Sequence, residues 1–206
     1  MGKITGLSLQ KNKNRANVFL DGRFVCGMDT ETIVKNGLKV GQEITIEKLS
    51  SLQSDSEVNK AFDKCLSLLE RQLYTKKQIA RKLAEKGYLA ETIDSAISKL
   101  GEYGYVDDKI FAKSFASANQ RKSKKELKYK LLQKGVSAEI IENTVAEIDP
   151  ETERDNAVLA AEKYMRRKEP TKENLTKLFS YLMGKGFGAE DVKFAVRQFN
   201  KELDYD

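Results

Sequence analysis

The hydrophobic pattern of the chain changes period near residue 55. Before that point apolar residues come in short runs, ITGLSLQ, RANVFLDG and RFVCG, set apart by turn residues. Short β-branched and aromatic runs of this kind predict two or three strands. Asp21-Gly22, between Val18-Phe19-Leu20 and Arg23-Phe24-Val25, is the dipeptide a two-residue hairpin turn selects, and Lys11-Asn12-Lys13-Asn14 forms the connection before it. TETIVKNGLKVGQ then reads as a short helix stopped by Gly37, with a turn at Gly41. So few strands are marginal alone and must pack on something else.

From about residue 55 the apolar period is 3.6, and the chain repeats itself. Lys86-Gly87, Lys134-Gly135 and Lys185-Gly186 align IARKLAEKGYLAETIDSAISKL with LKYKLLQKGVSAEIIENTVAEI and LFSYLMGKGFGAEDVKFAVRQF. Ile79, Leu127 and Leu178 stand in equivalent positions, as do Leu83, Leu131 and Leu182, and then Tyr88, Val136 and Phe187. The first two sets make one helical stripe that ends at a glycine suited to the left-handed C′ position. Ala90-Glu91, Ala138-Glu139 and Ala189-Glu190 then put a carboxylate in the first turn of the next helix, where the dipole favours it. Thr75-x-x-Gln78 and Ser123-x-x-Glu126 fit the capping box. A further helix precedes each pair, at about 57–72, 108–120 and 151–168, the last opened by Asp149 as N-cap and Pro150 in the first turn. The expected fold is mainly α: three tandem three-helix repeats in an elongated curved array, preceded by a small β-rich N-terminal element. The expected divisions are 1–54 for that element with its hairpin and short helix, then repeats at 55–106, 107–148 and 149–206. Most of the repeated Leu, Ile, Val and Gly positions serve packing and capping.

Composition narrows the chemistry. The 206 residues include no histidine, no tryptophan and two cysteines. Without histidine there is no Ser-His-Asp or Cys-His triad and no mixed Cys/His zinc site. Cys26 and Cys65 are expected to be reduced, buried thiols of a cytoplasmic protein. MGKITGLSLQ lacks the apolar region of a signal peptide, and no long apolar run is present for a membrane span. Asp107 and Asp108 diverge by roughly 100° if helical, so Asp108 reads as an N-cap and not half of a metal site. Gly101-Glu102-Tyr103-Gly104 has neither the preceding strand nor the Gly-Lys-Ser/Thr of a phosphate loop. No enzyme activity, metal or cofactor is expected.

Charge is more informative in its placement than in its sum. Lys and Arg number 37 against 31 acidic residues, a net charge of +6, yet Arg121 to Lys134 holds seven cations against Glu126 alone. On helix 123–134, Lys124, Lys125 and Lys128 fall opposite Leu127, Leu131 and Leu132. Arg121 and Lys122 precede an N-terminus that favours anions. The first repeat carries Arg71, Lys76, Lys77, Arg81 and Lys82 at the same junction, and the third carries Arg166, Arg167, Lys168 and Lys172. A solvated face explains any one such helix; recurrence at one junction points to a polyanion. Tyr74 and Tyr129 are the aromatics best placed for stacking, so backbone binding is expected over base readout.

TKKQIARKLAEKGY and SKKELKYKLLQKG, joined by LGEYGYVDDKIFAKSFA, resemble the RecX family of RecA regulators. Thr75 to Gly87 follows the family's Ser/Thr-x-x-Glu pattern with Gln78 in place of Glu, and Gly104-Tyr105-Val106-Asp107-Asp108 with Phe111-Ala112 is the more specific match. The likeness runs over about 55–200, and Leu20-Asp21-Gly22-Arg23 is similar to the opening of longer members. It implies a non-enzymatic regulator of recombination and DNA repair in the SOS response, and a monomer is expected. Such a protein binds the RecA nucleoprotein filament and inhibits its ATPase and strand exchange. Binding to single- and double-stranded DNA is also implied. The basic residues from Arg71 to Lys168 named above are the expected RecA and DNA contacts. A stand-alone DNA-binding protein of tandem helical units, or a scaffold for other partners, are the competing expectations.

Overall fold

The computed structural model describes residues 1–200. Those residues form four strands and ten helices in two compact units, one comprising 1–72 and 79–106 and the other 73–78 and the chain from Asp107 onward. The six residues 201–206, at the end of the expected third repeat, lie outside the described ones.

In the first unit, β1 (Gly2–Leu9), β2 (Arg15–Leu20) and β3 (Arg23–Asp29) form an antiparallel meander. The expected hairpin turn is there, with positive φ at both Asp21 (48°) and Gly22 (80°), as a type I′ turn requires. A two-residue strand that the pattern did not announce, β4 (Glu43–Ile44), pairs with β1 and gives the order β3-β2-β1-β4. It is too short to show any alternation. Helix α1 (Thr30–Lys35) is short, and Gly37 beyond it has φ 61°. The sheet buries Ile4, Val18, Leu20 and Met28 against Ile33, Leu38, Leu49 and Leu52.

Leu49 and Leu52 belong to α2 (Ile46–Leu69), which starts well before the expected position near 57. Thr45 caps it by accepting from the Lys48 amide. A 24-residue helix therefore serves two cores, with Leu49 and Leu52 under the sheet and Ala61 and Cys65 buried further along. A half-buried polar cluster ties it to the sheet. Ser56 donates to Asp29 Oδ2 (2.6 Å), Lys60 pairs with Asp29 and Glu57, and Arg15 reaches Glu57 at 3.1 Å. The marginal sheet thus packs on the first helix of the helical region. The unit is completed by α3 (Lys76–Ala84) from Ile79 onward and by α4 (Ala90–Glu102).

The second unit holds two more three-helix groups: α5 (Asp108–Ala118), α6 (Lys124–Gln133) and α7 (Ala138–Ala146), then α8 (Pro150–Met165), α9 (Lys172–Gly184) and α10 (Ala189–Asn200). Phe111, Leu131, Val136, Ile141 and Val145 form the core of one group. Ala157, Leu178, Leu182, Phe187 and Val192 form that of the other. Gly87, Gly135 and Gly186 end the middle helices with φ of 85°, 88° and 88°. Pro150 stands at the first turn of α8 behind Asp149, whose carboxylate accepts from the Glu151 amide.

Two details differ from the sequence pattern. Leu132, placed with the core face of α6, is exposed, because only Leu127 and Leu131 of that trio keep the buried spacing. Asp107, and not Asp108, caps α5, accepting from the amides of Lys109 and Ile110. Asp108, one residue into the helix, turns its carboxylate elsewhere.

Candidate functional site

Within the second unit the same polar joint is built twice. Thr75, ahead of α3, accepts from the Gln78 amide and donates its hydroxyl hydrogen to the carbonyl of Lys134 (2.6 Å). Ser123, ahead of α6, accepts from the Glu126 amide and donates to the carbonyl of Lys185 (2.6 Å). Each hydroxyl therefore satisfies two orphan groups at once, an N-terminal amide of its own helix and a C-terminal carbonyl of another. The positive end of one helix meets the negative end of the next, which the peptide dipoles favour.

A carboxylate completes each joint. Asp108 Oδ1 accepts from the Lys76 amide at 2.9 Å, and both oxygens of Glu153 accept from the Lys124 amide at 3.0 and 3.1 Å. The N-terminus of α6, expected to attract a foreign anion, is filled by the chain's own Glu153. That residue is buried, and burial pushes its carboxyl above the ordinary value, with Asp191 adding to the rise and Lys124 opposing it. The glycines give the joints their close approach. A methyl group on Gly135 would overlap the Lys77 side chain, and one on Gly186 would stand 3.0 Å from the Lys125 Cβ and the Ser123 hydroxyl. Gly87, with the same φ, faces open space.

The expected contact residues divide accordingly. Lys122 is bound to Glu126 (2.6 Å), Lys124 Nζ to the Ile148 carbonyl (2.7 Å) and Lys128 to Glu142. Lys77 and Lys125 lay their aliphatic stems on Gly135 and Gly186, with both residues still exposed. Arg81 reaches Glu85 at 3.6 Å on an exposed helix face, Lys82 is half-buried, and the Lys168 ammonium sits 3.1 Å from the Tyr164 ring centroid. Arg71, Lys76, Arg121, Arg166 and Arg167 are exposed, and none of their side chains has a carboxylate partner among the described residues. Glu126 shows what this density of cations does. Burial would raise its carboxyl, but the Lys122 hydrogen bond and the charges of Lys122, Lys130 and Lys185 outweigh that and lower it.

Arg121 lines a cleft of about 820 Å³, between the α5–α6 turn, α8 and the end of α9. Two further cations that were not among the expected contacts, Lys163 and Lys185, line it with Tyr181, Leu159 and Phe187. Three helices bring them together, so no local spacing reveals them. A second aromatic cluster lies in the first unit. Phe62, Tyr103 and Tyr105 meet at centroid distances of 5.8 to 6.2 Å, with the Lys99 ammonium 4.8 Å from the Phe62 ring. Among the described residues no group of His, Cys, Asp and Glu is arranged to hold a metal ion, and no helix is long and apolar enough to cross a membrane.

Comparison with known proteins matches the N-terminal element and the first two helix groups to family models. The family model for the regulatory protein RecX N-terminal domain matches residues 2–45. The models for the first and second three-helix domains of RecX match 61–100 and 107–145. The regulatory protein RecX of Clostridium botulinum (strain Eklund 17B / Type B) is 37% identical, covering 98% of this chain and 99% of its own. That of Clostridium perfringens (strain 13 / Type A) is 36% identical, covering 96% of each. A crystal structure of regulatory protein RecX superposes with a TM-score of 0.73 at 24% identity over 95% of this chain and 98% of that one. A RecX structure from Lactobacillus salivarius does so at 0.65 and 23%, over 70% of this chain and 97% of that one. With relatives of this identity along nearly its whole length, the chain belongs to the RecX family of regulatory proteins.

Proposed function

We propose that the chain is a non-enzymatic regulator of recombination and DNA repair that binds the RecA–DNA filament and lowers its ATP hydrolysis and strand exchange. The observation that carries this reading is the end-to-end match to regulatory RecX proteins, sheet, first helix groups and all. The action is steric and electrostatic: helices carrying unpaired cations occupy filament protein and phosphate together. Arg71, Lys76, Arg121, Arg166 and Arg167, with the exposed Lys77, Arg81, Lys125 and Lys168, are the proposed contacts. Lys122, Lys124 and Lys128 already spend their ammonium groups within the chain. The test is RecA ATP hydrolysis on single-stranded DNA with substoichiometric protein. A fall in rate together with capture of the protein on filaments is expected. An unchanged rate with no capture would overturn it.

The second reading is a DNA-binding protein that acts without RecA. The cleft lined by Arg121, Lys163 and Lys185 favours it, since those cations have no carboxylate partner among the described residues.

A further inference from the structure

The cleft beside the Ser123 joint combines two kinds of surface. Its lining carries Arg121, Lys163 and Lys185, and the one acidic residue in that lining, Glu126, is already bound by Lys122. The same lining also offers apolar and aromatic side chains. Leu159 is 50% exposed, Phe187 is buried, and the Tyr181 ring stacks on Tyr164 at 4.6 Å. Cations alone would suit any anion, but cations beside an exposed leucine and an aromatic ring suit a flat ligand that carries its own negative charge outside the ring. The polar groups sort the candidates further. Asn156 donates one amide hydrogen to the Gln120 carbonyl at 2.6 Å, which orients the group and leaves one donor and one acceptor. A nucleobase edge matches a mixed pair of that kind.

We propose that this cleft holds one unstacked base of a single-stranded nucleic acid against Tyr181 and Leu159, with the flanking phosphates on Arg121, Lys163 and Lys185. The Lys185 ammonium, 5.6 Å from the Tyr181 ring centroid, is drawn to the phosphate when the base enters. The inference rests on the reading that the chain works on DNA. Its test leaves RecA out, so failure of the filament reading and failure of this one are told apart.

The experiment measures fluorescence anisotropy of the full chain with labelled oligo(dT) and with an abasic oligomer of equal length. Oligo(dT) should bind about tenfold more tightly, the value of one stacked base, and Tyr181→Leu should abolish that difference. Arg121→Gln with Lys163→Gln should weaken both oligomers and lower the salt slope by about 1.4. Photo-crosslinking of iodouridine-substituted oligomer to the unmutated chain gives a readout that no folding defect disturbs, and the adduct should map to Tyr181. Equal affinity for the two oligomers, an adduct elsewhere, or displacement of oligo(dT) by polyglutamate at equal ionic strength would each overturn the proposal.

Discussion

The Thr75 and Ser123 joints use the same atoms, yet they sit in different electrostatic surroundings. At Thr75 the capping box is closed both ways, with Gln78 Oε1 accepting from the Thr75 amide at 3.0 Å, and the carboxylate on the Lys76 amide comes from the part-exposed Asp108. At Ser123 the box is open on one side, because Lys122 and Lys130 draw the Glu126 carboxylate to themselves, and the amide at Lys124 is met by the buried Glu153. A neutral glutamine closes on its own helix; a glutamate among lysines does not. The joint is thus a hydrogen-bond device, and charge around it varies without changing it. Recurrence of lysine at the junction has two sources. Part of it is joint geometry, with Lys77 and Lys125 covering a glycine, and part is unpaired charge facing solvent.

Glycine substitution separates the joint from its surroundings by the largest margin. Gly87→Ala, Gly135→Ala and Gly186→Ala impose the same left-handed strain, about 1 kcal/mol each. Only the latter two also meet a joint. Gly135→Ala should cost about 3 kcal/mol in all, Gly186→Ala somewhat less, and Gly87→Ala little beyond the strain itself. Denaturant unfolding of the full chain, with amide exchange to locate the loss, gives the order; equal costs at all three would break the comparison.

Removing the hydroxyls comes next. Thr75→Val and Ser123→Ala each delete a cap and leave a carbonyl at Lys134 or Lys185 unmatched, for an expected loss of about 2 kcal/mol apiece. Protection of the amides of α6 and α9 should fall in step.

The pH dependence should distinguish the two carboxylates. Burial raises the Glu153 carboxyl above its unfolded value, so between those two values the folded chain holds more protons. Its contribution to stability therefore improves as pH falls from neutrality towards the unfolded value of about 4.3 and weakens as pH rises. Glu126 runs oppositely, losing its contribution as pH falls through its lowered folded value. Thermal unfolding of the unmutated chain and Glu153→Gln across that range should show the wild type gaining on the variant as pH falls. Parallel curves would remove Glu153 from the account.

The smallest effect concerns the thiols. Burial pushes Cys65 up to about 11 and raises Cys26 as well. Neither should react measurably with a disulfide reagent at neutral pH until the chain unfolds.

What was legible in the sequence follows a physical divide. Helix stops at Gly87, Gly135 and Gly186, the Asp21-Gly22 turn and the caps at Thr75, Ser123 and Asp149 are local devices written in adjacent residues, and they stand where the pattern placed them. The early start of α2 escaped because Ile46–Ser54 mixes apolar and polar residues while serving the sheet core, which blurs the helical period. Asp108 and Glu153 escaped because their amide partners lie 32 and 29 residues away. The cleft escaped for the same reason: Arg121, Lys163 and Lys185 come from three helix ends and share no spacing.

Cations without a carboxylate or carbonyl bound to them, and not those held by such oxygens within the chain, meet the nucleic-acid strand. The salt dependence of oligo(dT) affinity tests it most directly in two variants of equal charge, Arg121→Gln/Lys163→Gln/Lys185→Gln and Lys124→Gln/Lys128→Gln/Lys130→Gln. The second set is held by the Ile148 carbonyl, Glu142 and Glu126. The account predicts that the first variant lowers the slope by about 2 and the second leaves it unchanged. Equal slopes in the two variants would contradict it.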